Sequence, residues 1–110
     1  GGEIDGQRYL SKETCQLFTT ETSKISRRGL GFDKPDADDP KKGNCAPAAP
    51  AEVYGHTGFT GTCAWVDPMN ELVYVFLSNR IYPDVTNRKL NQLHIRERIQ
   101  GAIYDAMKKK

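Results

Sequence analysis

His56, Thr57 and Gly58 stand together in the stretch YGHTGFTGTCAWVDP (residues 54–68) and combine three kinds of chemistry. A histidine titrates near neutral pH, so it can take up or release a proton there. A threonine adds a hydroxyl, and a glycine in or beside a strand permits close approach of a ligand or another backbone. The next amide, that of Phe59, can donate to an oxygen that becomes negative during a reaction. The stretch therefore predicts a binding or catalytic wall formed by His56, Thr57, Gly58 and Phe59.

An ordinary strand that begins with an exposed histidine would contain the same tripeptide. The surrounding elements must therefore distinguish a functional site from such a strand. Ser11 has the chemistry of an N-cap, which predicts a short helix through Phe18. Residues 25–32, ISRRGLGF, predict a strand whose two glycines face a crowded neighbour. The charged, proline-containing residues 33–52 predict a long surface loop.

The second half of the chain predicts a hairpin followed by a helix. We expect strands over Phe59–Val66 and Leu72–Ser78, the second buried on both faces, with a turn at Asp67-Pro68-Met69-Asn70 between them. Apolar residues at helical spacing predict one amphipathic helix over Leu90–Met107, with Gly101 marking close approach to the sheet. The predicted fold class is α+β: an antiparallel sheet made of hairpin 59–78 and the strand near 25–32, packed by the C-terminal helix.

Composition limits the alternatives. With 110 residues the chain is one domain, 1–110, and no run of 18 apolar residues spans a membrane. Residues 51–79 carry no Lys or Arg, which marks the core, whereas residues 80–110 carry eight. A basic segment is also typical of nucleic-acid binding, but the predicted helix has few aromatic residues and a solvated helix face explains its charge. We therefore expect neither a nucleic-acid nor a membrane partner.

Three cysteines occur, Cys15, Cys45 and Cys63, without a C-x-x-C pair, so no metal site is expected. Because three is odd, at least one thiol is free or pairs with another chain. Cys63 lies in an apolar run and is predicted to be a small core residue. A bridge between Cys15 and Cys45 is left open by the sequence.

The order of these pieces resembles the end of the serine beta-lactamase and penicillin-binding-protein-like hydrolases. Gly29-Leu30-Gly31-Phe32 is similar to a Gly-Leu-Gly-aromatic strand of that family, and His56-Thr57-Gly58 is similar to its Lys-Thr-Gly tripeptide, which opens a strand beside the active site. The run TGFTGTCAWVDPMNELVYVFLSNRIYP resembles the strand, turn and strand that follow. The likeness covers roughly residues 24–107 and is nearest to hydrolases of Bacteroidetes, sometimes fused to glycoside hydrolase domains.

The resemblance implies a role for each of four residues. His56 replaces a lysine that helps to hold substrate and tune active-site protons, and Thr57 contacts the substrate's carboxylate or carbonyl region. A side chain at Gly58 would block substrate, and the Phe59 N–H completes the oxyanion hole. Because neutral imidazole binds a carboxylate less well than a permanent ammonium, His56 favours ester or peptide chemistry over beta-lactams and cell-wall carboxylates.

The family's nucleophile motif Ser-x-x-Lys and its second motif, Tyr-x-Asn or Ser-x-Asn, do not occur in these 110 residues. A nucleophile needs a base within hydrogen-bond reach, so the chain is predicted to be the C-terminal portion of a serine hydrolase domain, catalytically incomplete alone and without a cofactor. Its expected partner is the rest of the parent domain, and an exposed sheet edge also predicts a homodimer. The alternative is a non-catalytic binding or assembly module. Family resemblance alone suggests export or a periplasmic location.

Overall fold

The computed structural model describes residues 1–23, 25–36, 38–39 and 42–109. Its elements in chain order are β1 (Glu3–Ile4), β2 (Gln7–Arg8), α1 (Lys12–Thr19), β3 (Tyr54–Thr57), β4 (Cys63–Asp67), β5 (Leu72–Phe76), α2 (Lys89–Gln92) and α3 (Ile95–Lys108). Two small antiparallel sheets and a C-terminal helix confirm the α+β class and are consistent with the partial beta-lactamase-like fold that the resemblance implies. Within the described ranges, no helix has both the length and the apolar character needed to cross a bilayer.

The N-terminal elements follow local sequence signals. Asp5 and Gly6 both adopt left-handed backbone angles, with φ of 50° and 78°, and form the two-residue turn between β1 and β2. Ser11 caps α1 as predicted, since its Oγ accepts a hydrogen bond of 3.1 Å from the Thr14 N–H. The helix ends at Thr19, one residue beyond the predicted end.

The main sheet has the strand order β3-β4-β5, with antiparallel neighbours. The prediction of a strand over Phe59–Val66 is wrong at its start, because the His-Thr-Gly tripeptide ends β3 instead of opening a strand. Gly58 and Gly61 belong to the turn: the Gly61 N–H donates to the Gly58 carbonyl at 3.0 Å, and Gly61 has a φ of 98°. Glycine suits these positions because the chain reverses its direction here and glycine tolerates the backbone angles of a tight turn.

The strand β5 is buried on one face only, contrary to the prediction for Leu72–Ser78. Tyr74 points into the core, whereas Val73 and Val75 are 64% and 54% exposed on the opposite face. Within the described structure β5 is also an edge strand, paired with β4 alone. The alternation is that of a sheet packed on one side.

The strand predicted near 25–32 does not form. The amides of Ile25 and Arg28 bond to the side-chain oxygens of nearby serines, and the Gly29 N–H donates to a carbonyl three residues on. These local bonds occupy groups that a strand would use for pairing. Only Asp33, just beyond, makes a bridge, exchanging hydrogen bonds of 2.7 and 3.0 Å with Gly55. The prediction that both glycines face a crowded neighbour is confirmed for Gly29, where a Cβ would lie 2.7 Å from a carbonyl oxygen, and wrong for Gly31, where a Cβ would meet no described atom within 4 Å.

The single helix predicted over Leu90–Met107 is interrupted at His94, whose φ of 48° separates α2 from α3. The buried positions of α3 are Arg96, Gln100 and Tyr104, not the predicted apolar set, of which Ile99, Ala102, Ala106 and Met107 are exposed. Each buried polar side chain has a partner: the Gln100 amide oxygen, for example, accepts from the Ala46 N–H at 2.8 Å. Buried polar groups are stable when hydrogen-bonded.

The core consists of Cys45, Val53, Cys63, Trp65 and Tyr74, which confirms the core position of Cys63. Part of the segment predicted as a surface loop therefore belongs to the core, because Cys45 and Ala46 are only 2% and 1% exposed. A Cβ added at Gly101 would lie 4.0 Å from the Ala46 Cβ, so the neighbour of this glycine is the loop and not the sheet. Residues 37, 40 and 41 of the predicted loop lie outside the described residues.

All three cysteines are free thiols, so the bridge left open between Cys15 and Cys45 does not form.

Candidate functional site

A cleft of about 590 Å³ lies where the β3–β4 turn meets the segment before α3. Thr57, Gly58 and Phe59, three of the four residues singled out from the sequence, line it. The remaining lining residues come from distant parts of the chain: Lys42, Gly43, Asn44, Arg80, Asn91, His94, Arg96 and Glu97. The tertiary fold thus adds several cationic side chains to the predicted wall.

The turn that carries Phe59 is held in place by the chain just after β5. The Arg80 N–H donates to the Thr60 carbonyl at 2.9 Å, and the Ser78 hydroxyl donates to the same oxygen at 3.3 Å. The Arg80 guanidinium also lies over the Phe59 ring, 5.0 Å from its centroid, which is a cation–π contact. These contacts fix the turn as one wall of the cleft.

Gly58 and Phe59 contribute to the turn in different ways. A Cβ at Gly58 would collide with the Thr62 hydroxyl, so glycine is needed for the packing of the turn itself. The Phe59 N–H makes no hydrogen bond with the described part of the chain, although its neighbour Gly58 donates to the Thr62 carbonyl at 2.8 Å. An unpaired amide beside a cleft is available to a ligand oxygen.

His56 does not line the cleft. Alternation along β3 places it on the outer sheet face, opposite Ala64 and exposed, whereas Thr57 faces the other side. Its Nδ1 lies 2.7 Å from the Thr57 carbonyl oxygen, and because a carbonyl only accepts, the bond places the ring proton on Nδ1. Other residues supply the positive charge of this cleft, and the inference drawn from His56 against carboxylate substrates stays a prediction.

Sequence reasoning missed the cations Lys42, Arg80 and Arg96. Arg96 is 8% exposed and its guanidinium donates to the Thr62 carbonyl at 3.4 Å and to the Asn91 side-chain oxygen at 3.1 Å. Its Nε has no hydrogen-bond partner among the described residues. No short motif joins these three residues. The available signal was the position of Arg80, four residues after the last residue of the apolar strand β5, where a side chain lies beyond the end of the sheet.

Asp67 lies on β4, which pairs with the strand that carries His56. The hairpin places Ala64 opposite His56, so Asp67 is three residues further along β4, roughly 10 Å away at about 3.3 Å per residue. Its carboxylate is nevertheless occupied on the inner face, where it accepts from Tyr104 at 2.8 Å and from Asn70 at 2.8 Å. Burial acts to raise the pKa of Asp67, but these hydrogen bonds outweigh it and the pKa is lowered. Asp67 is therefore a structural carboxylate.

The buried thiols are not nucleophiles. Burial, followed by the charge of Asp33, raises the pKa of Cys45 to about 12, and burial also raises the pKa of Cys63. Because the thiolate is the reactive form, both are inert at neutral pH. The part of the chain that the structure describes holds no group of three metal-ligating side chains.

Comparisons with known proteins identify the family of this chain. The Beta-lactamase family model matches residues 4–97. Proteins named "Putative D-alanyl-D-alanine carboxypeptidase" from Escherichia coli O157:H7 and Escherichia coli K12 are 32% and 31% identical over 91 residues. A Salmonella typhi protein of the same name is 31% identical. In each case the match covers 83% of this chain and 21% of the relative.

The chain thus spans about a fifth of the length of these curated relatives. A search of solved structures found no match. These relatives are enterobacterial, and the Bacteroidetes subgroup stays a prediction. A family match over residues 4–97 nevertheless includes β2 to β5, α1, α2, the last residue of β1 and the start of α3. The chain belongs to the Beta-lactamase family.

Proposed function

We propose that this chain forms one wall of the active-site cleft of a serine hydrolase, which hydrolyses an ester, amide or peptide-like substrate through an acyl-enzyme. The observation that supports this most directly is the meeting of Thr57, Gly58 and Phe59 on one cleft-lining turn in a Beta-lactamase-family chain. In this proposal the Thr57 hydroxyl contacts the substrate and the Phe59 N–H donates to the oxyanion.

The chain is proposed to be catalytically incomplete by itself. Its four serines, Ser11, Ser23, Ser26 and Ser78, are not followed by a lysine three positions later, and no tyrosine is followed by an asparagine two positions later. Acyl transfer needs a nucleophile and an adjacent base. Both would come from the part of the hydrolase that these 110 residues do not include.

The outer sheet face is the proposed contact with that remaining part. Val73, Val75 and Leu77 are exposed on β5 and the residue that follows it, and β5 has an unpaired edge within the described structure. His56 lies on the same face as Val75, across the sheet. Docking of the remaining domain there would cover these apolar side chains.

A peptide that ends in a carboxylate is the substrate form we favour. The relatives are named as D-alanyl-D-alanine carboxypeptidases, and a carboxypeptidase substrate carries a terminal carboxylate. Lys42, Arg80 and Arg96 supply positive charge to the cleft, which attracts an anionic substrate. This support outweighs the preference for neutral substrates inferred from His56, which lies outside the cleft.

The experiment begins with the coding DNA upstream of Gly1. A Ser-x-x-Lys and a Tyr-x-Asn in the same frame are expected, and the full-length protein is then assayed with nitrophenyl esters and D-alanyl-D-alanine peptides. Acyl-enzyme is detected by mass spectrometry. Thr57→Val should lower kcat/KM by about tenfold or more, since a hydrogen bond in the transition state is lost. Thr60→Val, on the same turn but outside the cleft lining, is the matched control and should retain activity.

The absence of both motifs upstream would contradict the hydrolase proposal. A second candidate, a non-catalytic binding or assembly module, would then be favoured by the unpaired edge of β5. Activity that survives Thr57→Val unchanged would instead remove Thr57 from the proposed site and leave the hydrolase assignment standing.

A further inference from the structure

Asp33 is a charged residue in the interior of the protein, 1% exposed, and its contacts reach separate parts of the chain. Removing a carboxylate from water is unfavourable unless opposite charge and hydrogen bonds compensate for the lost hydration. Asp33 does not belong to the lining of the cleft. Its partners therefore indicate which elements this residue holds together.

The backbone of Asp33 joins the end of segment 25–33 to β3. The Asp33 N–H donates to the Gly55 carbonyl at 2.7 Å, and the Gly55 N–H donates to the Asp33 carbonyl at 3.0 Å. Gly55 precedes Thr57 by two positions on β3, and among the described residues this strand is otherwise paired only with β4. Asp33 therefore supports the outer edge of the strand that leads into the cleft-lining turn.

The side chain of Asp33 holds a second part of the cleft lining through Asn44. The Asn44 Nδ2 donates to the Asp33 Oδ2 at 2.8 Å. Asn44 lines the cleft with its neighbours Lys42 and Gly43. Because an ionised carboxylate only accepts hydrogen bonds, Asn44 presents its NH₂ group to Asp33, and the amide oxygen is left as the acceptor of that side chain. One buried residue thus connects Asn44 with the strand that carries Thr57.

Further contacts fix the Asp33 carboxylate itself. The Arg27 Nη2 donates to the Asp33 Oδ2 at 3.1 Å, and the Arg27 Nε lies 3.0 Å from Oδ1. The Lys34 N–H donates to Oδ1 at 3.2 Å. Both carboxylate oxygens therefore have partners besides Asn44, and the guanidinium compensates for the negative charge. A carboxylate held in this way restricts the Asn44 amide to one orientation.

We propose that Asp33 is a positioning residue for the cleft: it fixes the orientation of the Asn44 amide and the position of residues 42–44 relative to the β3–β4 turn. This role rests on the proposed function, because its consequence is the binding of a substrate between these two parts of the lining. Asp33 acts through Asn44 and Gly55 and does not contact the substrate. An interaction that holds the substrate equally in the ground and transition states changes KM and leaves kcat unchanged.

The test exchanges the donor and the acceptor of the Asp33–Asn44 hydrogen bond in the full-length protein. Asn44→Asp replaces the donor by a second carboxylate, so KM for a neutral nitrophenyl ester should rise about tenfold while kcat stays within about twofold. Adding Asp33→Asn restores a donor–acceptor pair in the opposite sense, and the double variant should return KM to within about threefold of the wild type. The ester is neutral so that a new charge at position 44 does not itself repel it.

Asn87→Asp is the matched control, because it introduces the same charge away from the cleft lining. Asn87 is exposed in the loop before α2, and its side-chain oxygen accepts from the Lys89 N–H, a hydrogen bond that aspartate can also accept. KM should stay within about twofold of the wild type. If urea unfolding shows that Asn44→Asp is not folded, Asn44→Ala replaces it, since it removes the donor without placing two carboxylates together, and should raise KM by about threefold or more.

A second readout needs no catalysis and uses the same variants of this chain. The amide NMR shifts of Thr57 and Phe59 should move in Asn44→Asp and return towards the wild-type values in the double variant. Shifts that do not move, or a KM that the double variant does not restore, would overturn the positioning role. Equal effects of Asn44→Asp and Asn87→Asp would also overturn it, because they would show a general charge effect.

The two proposals fail in distinguishable ways. Shifts that move and are restored, in a chain whose full-length protein forms no acyl-enzyme, would support the positioning role and refute the hydrolase proposal. Acyl-enzyme formation with KM unchanged in Asn44→Asp would refute the positioning role alone.

Discussion

The hydrogen bond from Tyr104 to Asp67 ties α3 to the end of β4, and its removal gives the sharpest test of how this fold is held. The Tyr104 hydroxyl donates to the Asp67 Oδ2 at 2.8 Å, and both residues are buried, at 5% and 2% exposure. Tyr104→Phe removes this donor and keeps the ring. We expect the variant to fold and to be less stable.

The size of the effect follows from the remaining partners of Asp67. The carboxylate still accepts from the Met69 N–H at 2.9 Å and from Asn70 through its N–H at 3.1 Å and its side chain at 2.8 Å. The carboxylate therefore keeps hydrogen-bond partners in the variant. The loss in free energy of unfolding should be at the low end of the range for a hydrogen bond to a charged group, about 1.5–2 kcal/mol. Because the total free energy of unfolding of a protein is about 5–15 kcal/mol, this loss would be a large fraction of it.

The direction in which the free energy of unfolding changes with pH also follows from the pKa of Asp67. The pKa of Asp67 is lowered in the folded state from the usual 3.8. The ionised carboxylate therefore contributes stability above that value, and this contribution is lost as the pH falls through the folded pKa. The difference between Tyr104→Phe and the wild type should narrow in acid, because the bond then joins two neutral groups.

Urea unfolding followed by Trp65 fluorescence and circular dichroism measures the free energy of unfolding at pH 7 and at lower pH. Tyr82→Phe is the matched control, since Tyr82 is 78% exposed, and it should change stability by less than about 0.5 kcal/mol. A cycle with Asp67→Asn isolates the pair. A loss below about 0.5 kcal/mol for Tyr104→Phe, or no coupling between the two positions, would refute this account of the helix–sheet contact.

Three further predictions follow from packing. Iodoacetamide at pH 8 should label half-buried Cys15 and leave Cys45 unmodified until urea is added, because burial raises the pKa of Cys45 to about 12; labelling of Cys45 in the native chain would contradict this. Gly55→Ala should cost about 1–3 kcal/mol in urea unfolding, since its Cβ would meet a backbone carbonyl of β4 that has no room to move. An unchanged midpoint would show that the strands separate easily. We also expect the isolated chain to dimerise through the edge of β5 at high concentration, and Val75→Lys, but not the equally exposed Val85→Lys, to give a monomer in sedimentation equilibrium; a wild-type monomer would exclude the edge-paired dimer.

Local signals in the sequence were reliable. The Ser11 cap and the turn after Asp67 form where their residues indicate. Each depends on hydrogen bonds or backbone angles within about four residues. The same is true of the α+β class, because the helical and strand periodicities are local patterns.

The strands predicted in glycine-rich stretches were placed wrongly because glycine occurs both in strands and in turns. Residues 25–32 remain outside the sheet, and the His-Thr-Gly tripeptide ends a strand. Which role a glycine has depends on the partner strand, and partners can lie well outside a short window: Cys63 pairs with Phe76, 13 positions on, and Gly55 forms a bridge with Asp33, 22 positions back. The helix face was mispredicted for a related reason, because Gln100 is buried by its bond to Ala46, 54 positions away.

The residues of the candidate site also separate into those that the sequence predicted and those that only the fold brought together. By itself the sequence determined the fold class, the family resemblance and the wall formed by Thr57, Gly58 and Phe59, because adjacent residues on one turn remain adjacent in any fold. Only the tertiary structure decided that His56 faces away from the cleft and that Arg80 and Arg96 line it. The side of a strand that faces a cleft depends on register, and convergence of distant cations depends on packing. Neither property is encoded within a short window of sequence.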